Sequence, residues 1–213
     1  MSAWADSWTS CALLIVLSDH GESLGEHGVV GHTLMWEEEL RVPMLIRFPG
    51  GRFAGTRIQA PVMLIDVLPT LLDFLGLPPQ AGVQGRSLMP LLRGEAGAFP
   101  SERMRITQYE DTFAVRFDDR WKIVFRPMDS MPVDQALYDL ENDPGETTNL
   151  FHASAGRERF QDLYARYRDF RERTAAGDRK WAGRRGEGGV DPELRSQIGE
   201  LGYTEPPGDE EGH

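Results

Sequence analysis

The chain has 213 residues and a formal net charge of −11, and 40% of its residues are apolar and 27% charged. This length and composition are sufficient for a globular protein with a sizeable core. The negative charge excludes nucleic-acid binding through a broad basic surface, and it excludes recruitment to an anionic membrane. The single cysteine, Cys11, excludes an internal disulfide framework and a cysteine-based zinc cluster.

The first half of the chain has the pattern of an α/β fold. Residues 12–17 are a continuous apolar run, which is typical of a strand buried on both faces of a parallel sheet, with Cys11 as a small core residue before it. A second strand is predicted at 43–48. A helix is predicted at 66–75, with Asp66 as its N-cap and Gly76 directly after its C-cap.

No targeting or membrane-spanning segment is predicted for this chain, and its cellular location stays unknown. The apolar run at 12–17 is too short to cross a bilayer. A positive region before the run and a small-residue cleavage site after it, both expected of a signal peptide, are missing. We therefore expect a soluble chain.

The second half of the chain predicts a small antiparallel sheet followed by a helix. Short alternating runs lie at 106–109, 113–117, 121–125 and 136–140. The helix is predicted at 157–175 from an apolar stripe at helical spacing, formed by Phe160, Leu163, Tyr164, Tyr167 and Phe170. We therefore predict three regions, namely an α/β core at 1–98, a sheet-and-helix subdomain at 99–178, and a loop with an acidic, partly disordered tail at 179–213.

Asp19 and His20 are the first candidates for chemistry, because they follow the apolar run. Ligands of open α/β sheets bind outside the carboxyl ends of the strands, and a carboxylate beside an imidazole there can bind a divalent metal. Three of the five histidines, His20, His27 and His32, lie close together in this segment. The alternative is a polar loop in which Asp19 caps backbone N–H groups. The acidic run Glu37–Glu39 is interpreted as the solvated or capped face of a helix start.

Several stretches resemble the sulfatase family, in the order in which that family has them. They are LSDHGESLGEHG at 17–28, the segment at 34–50 that ends in VPMLIRFPG, the helix at 66–76, GRSLMPLLRG at 85–94, and LYDLENDPGETTNL at 137–150. The resemblance implies an α/β fold, as part of an alkaline-phosphatase-like sandwich with a small antiparallel C-terminal subdomain and a packing helix.

The resemblance also implies a metal site and a catalytic residue. In such enzymes early acidic residues and a later Asp-His or Asp-Asn pair hold Ca²⁺, and Asp19 and His20 match the later pair; another divalent cation is possible. A formylglycine made from a C/S-x-P-x-R motif attacks sulfur. His32 matches a position where many relatives carry a lysine that binds the sulfate, so its implied role is charge stabiliser or proton donor.

The chain departs from the family in two ways: it has no C/S-x-P-x-R motif, and it lacks the early acidic metal ligands. We therefore expect the C-terminal part of a sulfuric ester hydrolase, inactive alone, whose partner is the missing N-terminal part of the same fold. Its expected substrate is a small-molecule or glycan sulfate ester. A phosphodiesterase or phosphoethanolamine transferase of the same superfamily, and a non-catalytic truncated remnant, are the alternatives.

Overall fold

The computed structural model describes residues 11–182 except 33, 96, 98, 100–102 and 128–132. Contacts divide the chain into two units, Met1–Arg173 and Thr174–His213, and the sites discussed below lie in the first. The predicted tail lies outside the described residues from 183 onward, and the proposed division at 98 stays a prediction.

Both predicted strands of the first half form, but they pair in a different way from the expected one. Strand β1 (Leu14–Leu17) and strand β4 (Met44–Arg47) make a two-stranded antiparallel sheet, in which Leu14 lies opposite Arg47. Between them lie two short strands, β2 (Ser23–Leu24) and β3 (Val30–Gly31), and helix α1 (Glu37–Leu40). The prediction of parallel pairing is therefore wrong for these strands, because β4 runs back along β1.

The apolar side chains of β1 and β4 are accessible, which contradicts the prediction of a strand buried on both faces. Leu14 is 54% exposed, Val16 52% and Leu45 61%, and Cys11 is exposed as well. Among the described residues, the two strands pair only with each other.

The predicted helix α2 spans Val67–Phe74 and follows a 3₁₀ turn at Leu64–Asp66. Its end is confirmed: Gly76 has φ 65°, and the N–H of Leu77 donates to the Leu72 carbonyl at 2.8 Å, as in a Schellman motif. Asp66 does not cap the helix through its side chain. Its buried carboxylate accepts hydrogen bonds from the Arg86 N–H at 2.8 Å and the Arg103 guanidinium at 2.7 Å instead. A short helix α3 (Met89–Leu92) follows.

The second half confirms the predicted antiparallel sheet and helix. Strands β5 (Arg105–Tyr109), β6 (Thr112–Phe117), β7 (Trp121–Arg126) and β8 (Val133–Asp139) pair in sequence order. Helix α4 spans Ser154–Ala182. One face of the sheet packs against this helix in a core that contains Phe113, Val115, Phe117, Ile123, Phe125, Leu137, Phe160, Leu163 and Tyr167. Among the described residues, no helix is both long and apolar enough to cross a membrane.

Candidate metal and catalytic site

The loop after β1 carries both predicted metal ligands. The Ser18 hydroxyl donates to the His20 carbonyl at 2.6 Å, and the His20 N–H donates to Oδ1 of Asp19 at 3.0 Å. Asp19 therefore caps its own loop, as the alternative interpretation expected. Its second carboxylate oxygen is left available to another ligand, because a carboxylate accepts through both oxygens.

The imidazole of His20 is oriented as a metal-binding histidine requires. Its Nδ1 lies 2.8 Å from the Gly21 carbonyl, which only accepts, so Nδ1 carries the proton and the lone pair is on Nε2. That Nε2 lies 3.9 Å from Oδ1 of Asp19. The hydrogen bond to Gly21 and the charge of Asp19 raise the pKa of His20. The Gly21 carbonyl thus fixes the ring through Nδ1 and leaves Nε2 free. Such a hydrogen bond from the other ring nitrogen is common among metal-bound histidines.

The structure places His32 and Glu22 next to His20. Nδ1 of His32 lies 3.0 Å from Oε2 of Glu22, and the rings of His32 and His20 stack with their centroids 4.1 Å apart. The Glu22 carboxylate orients the His32 ring with Nδ1 protonated and leaves Nε2 to face a ligand. The contact between His32 and Glu22 could not be predicted from the sequence, because it depends on how the loop between them folds.

The donor set fits part of a divalent metal shell. A separation of 3.9 Å between Asp19 Oδ1 and His20 Nε2 is compatible with two ligands of one ion at about 2.0–2.6 Å each. Calcium requires about 6–8 oxygen ligands, so Asp19 and His20 supply only part of its shell. His20, Glu22 and His32 also each offer an atom within 4.8 Å of the others, a nitrogen-rich set that suits zinc better than calcium.

Helix α1 holds the loop in position through Gly21. The Gly21 N–H donates to the Glu39 carbonyl at 2.7 Å, and a Cβ at residue 21 would lie 2.0 Å from the Glu38 carbonyl oxygen. No side chain fits there, so close approach of the two backbones requires glycine. This contact lies one residue after His20, so α1 helps to fix the position of the candidate ligands Asp19 and His20.

Glu39 of α1 is buried and organises the backbone around it. Its side chain accepts the Ser23 hydroxyl at 2.7 Å and the N–H groups of Leu34 and Met35 at 2.8 and 3.0 Å. The solvated interpretation of the acidic run is therefore wrong for this residue. Glu39 does cap backbone N–H groups, but these belong to Leu34 and Met35, which precede the helix.

A buried ion network connects α1 to the four-stranded sheet. Lys122 of β7 is 0% exposed; its Nζ donates to the Met35 carbonyl at 2.6 Å and lies 2.7 Å from Glu146 and 3.4 Å from Glu37. Glu146 also accepts the Glu37 N–H at 2.7 Å. Burial raises the pKa of the Glu146 carboxyl. The sequence suggested none of these contacts, because Lys122 lies in an alternating strand and Glu146 in a turn.

His27 is held apart from the other two histidines by its own contacts. Its ring stacks on Trp36 at 3.8 Å, and its Nε2 lies 3.6 Å from Glu38. Trp36 in turn contacts Tyr138 edge to face. His27 therefore joins the loop to the antiparallel sheet and is not part of the candidate site.

The candidate site opens into a cleft of about 870 Å³. Asp19, His20 and His32 line it together with residues of the four-stranded sheet, including Arg105 and Arg116. A ligand in this cleft that contacts His20 or His32 therefore shares the cavity with Arg105 and Arg116.

Comparison with known proteins identifies the relatives of this chain. The model of a family described as N-sulphoglucosamine sulphohydrolase, C-terminal, matches residues 25–173, a range that begins after Asp19 and His20. An N-acetylglucosamine-6-O-sulfatase of Bacteroides thetaiotaomicron is 32% identical over 151 residues, covering 65% of this chain and 26% of that protein.

Solved structures resemble the chain as well, among them two at 26% identity. One is a protein in complex with its substrate D-glucosamine-2-N,6-O-disulfate, with a TM-score of 0.64 and 26% identity over 78% of this chain and 35% of that one. The other is a phosphonate monoester hydrolase of Agrobacterium radiobacter, with a TM-score of 0.65 and 26% identity over 80% and 36%. These likenesses confirm the expected fold class. The chain spans about a quarter of the length of the curated relatives it matches.

Proposed function

Because the chain belongs to the N-sulphoglucosamine sulphohydrolase C-terminal family of sulfatases, we propose that it supplies one half of a sulfatase active site. In this proposal Asp19 and His20 bind Ca²⁺ or another divalent cation, and His32 contacts the sulfate group of the substrate. The observation that carries the proposal is the His20 ring, whose Nδ1 is held by the Gly21 carbonyl while Nε2 lies 3.9 Å from the Asp19 carboxylate.

Each residue has a role that follows from its contacts. When bound, the cation offsets negative charge on the sulfate. Asp19 and His20 present the donor atoms for it. Glu22 holds His32 with Nδ1 protonated, and the free Nε2 can donate a hydrogen bond to a sulfate oxygen or a proton to the departing alcohol when the ring is charged. Charge stabilisation and proton donation by His32 therefore both require a ring that carries a proton on each nitrogen.

The metal ligands can be tested by titrating the chain with Mn²⁺ and recording paramagnetic broadening of its amide NMR signals. We expect broadening centred on residues 19–21, lost in the Asp19→Ala, His20→Ala variant. His152→Gln is the matched control, because His152 is an exposed histidine outside the site. Broadening that is centred elsewhere, or that survives in the double variant, would contradict the assignment.

A sulfate ester of a sugar is the substrate class that we propose. Support comes from the N-acetylglucosamine-6-O-sulfatase and from the structural neighbour crystallised with a disulfated glucosamine. The phosphonate monoester hydrolase, of equal identity, supports a second candidate, hydrolysis of phosphonate or phosphate esters. In a protein that completes the fold, higher turnover of a phosphonate monoester than of an aryl sulfate would favour this second candidate.

We further propose that the partner of this chain is the N-terminal part of the same fold, and that the chain alone is inactive. The accessible apolar surface supports a missing partner. Besides β1 and β4, it includes Ile65, Leu68, Leu75 and Leu77, which are 44–63% exposed. The sequence also lacks a modifiable C/S-x-P-x-R nucleophile. A covering segment therefore has both an apolar face to bury and a nucleophile to provide.

The 213-residue chain is expected to hydrolyse an aryl sulfate, with calcium present, no faster than its Asp19→Ala, His20→Ala variant. The reason is that the chain supplies metal ligands and an imidazole but no nucleophile of the implied type. Turnover clearly above that of the variant would show that the isolated chain is an active enzyme and would overturn this part of the proposal.

A further inference from the structure

Three basic residues stand side by side on the face of the sheet that faces away from α4. Arg105 of β5 lies opposite Arg116 of β6, and Arg116 lies opposite Lys122 of β7. Like charges directly opposite each other destabilise a sheet. This basic row, Arg105-Arg116-Lys122, therefore requires negative partners.

The carboxylates that pair with this row become more exposed from the Lys122 end to the Arg105 end. Lys122 lies 2.7 Å from Glu146, whose side chain is 1% exposed, and Arg116 pairs with Glu37, which is 16% exposed. Arg105 pairs at 3.1 Å with Asp119, whose side chain is 73% exposed. Exposed ion pairs contribute little, because water and salt screen them, so the Arg105 end is the least neutralised part of the row.

Both arginines of that end keep unused hydrogen-bonding capacity. In the part of the chain that the structure describes, Nη1 of Arg105 and Nε of Arg116 are buried and have no acceptor. Burial, followed by the nearby charge of Arg116, lowers the pKa of the Arg105 guanidinium. The two cations are therefore close enough to repel each other, and an additional anion near them would relieve both the repulsion and the missing acceptors.

Arg105 and Arg116 line the same cleft as His20 and His32. Arginine binds sulfate and carboxylate groups through parallel N–H donors. We propose that Arg105 and Arg116 form a second anion subsite, which binds a sulfate or carboxylate group of a substrate whose reacting sulfate contacts His32. This inference rests on the proposed function and adds to it a preference for substrates with two anionic groups.

Isothermal titration calorimetry of the 213-residue chain at low salt tests the subsite, with glucosamine 6-O-sulfate and glucosamine 2-N,6-O-disulfate as probes and calcium present. We expect the disulfate to bind about tenfold more tightly than the monosulfate, as a charge-assisted contact implies. Arg105→Gln should reduce this ratio to about one and leave the monosulfate Kd within about twofold of its original value. Asp119→Asn should increase the ratio, because it removes the exposed carboxylate that competes for Arg105.

Arg93→Gln is the matched control, since Arg93 is an exposed arginine that pairs with Asp73 away from the cleft lining; it should keep the ratio unchanged. Equal affinities for the two probes, a ratio unaffected by Arg105→Gln, or no binding of either probe would overturn the subsite. Disulfate binding that depends on Arg105 but not on Asp19 and His20 would support the subsite and contradict the proposed metal and sulfate site.

Discussion

Replacing Lys122 by methionine is expected to lower the free energy of unfolding by about 3–5 kcal/mol, the usual cost of removing one partner of a buried ion pair. The side chain of Lys122 is fully buried and lies between the Glu146 carboxylate at 2.7 Å and the Glu37 carboxylate at 3.4 Å. Methionine fills a similar volume, so the loss is mainly electrostatic. The Glu146 carboxylate would remain in a site of low polarity without a cation, Glu37 would keep only its pair with Arg116, and the Met35 carbonyl would lose its donor.

Urea denaturation monitored by circular dichroism measures this change. Arg120→Met is the control, because Arg120 also pairs with a carboxylate, Asp139, but its side chain is 45% exposed; its expected cost is much smaller than that of Lys122→Met, because water and salt screen an exposed pair. The double variant Lys122→Met, Glu146→Met should recover part of the loss, since it removes the carboxylate that is left without a cation. A cost for Lys122→Met no larger than that for Arg120→Met would show that the network contributes little.

The elements that were predicted correctly are those whose signal is local. The strands of the antiparallel sheet and helix α4 follow from alternation and from an apolar stripe, and both patterns report burial of one face. The interpretation of the run at 12–17 as a buried strand of a parallel sheet assumed more than the pattern shows. Continuous apolarity indicates a strand with two apolar faces, but β1 shows that it determines neither the direction of the neighbouring strand nor the segment that covers it.

The residues that were missed depend on distant partners. Asp66 fits an N-cap pattern locally, yet its carboxylate is bound by Arg86 and Arg103, which lie 20 and 37 positions away. Lys122 and Glu39 likewise read as ordinary polar positions of a strand and a helix start. The basic row depends on strand register, which the positions of the alternating runs do not determine without the turn geometry between them.

The candidate site stays a prediction, and its residues could be proposed from the sequence only where they are close together in the chain. Asp19 and His20 are adjacent, and their place at the end of an apolar run was sufficient to propose a metal pair. His32 entered through family resemblance, and its contact with Glu22 depends on a ten-residue loop that folds back on itself. The resemblance thus located the residues, and the structure determined which nitrogen atoms they present.

If Asp19 and His20 bind a divalent cation as proposed, replacing Gly21 by alanine is expected to weaken that binding about 10–100-fold, the range found when groups that orient metal ligands are changed. A Cβ at this position would lie 2.0 Å from the Glu38 carbonyl oxygen and 3.0 Å from its carbon, and both are backbone atoms that cannot rotate away. The loop must therefore move away from α1. It takes with it the carbonyl that holds Nδ1 of His20, so Nε2 no longer faces the Asp19 carboxylate.

Mn²⁺ titration with amide NMR detection measures the effect, and the signals of the four-stranded sheet report whether the fold is retained. Gly145→Ala is the matched control, because a Cβ there would meet only the Thr147 methyl group at 3.7 Å, an ordinary contact. Unchanged Mn²⁺ affinity in Gly21→Ala would mean that the ligands do not depend on the Gly21–Glu39 contact. A selective loss would instead identify α1, and the sheet that anchors it through Lys122, as the support of the metal ligands.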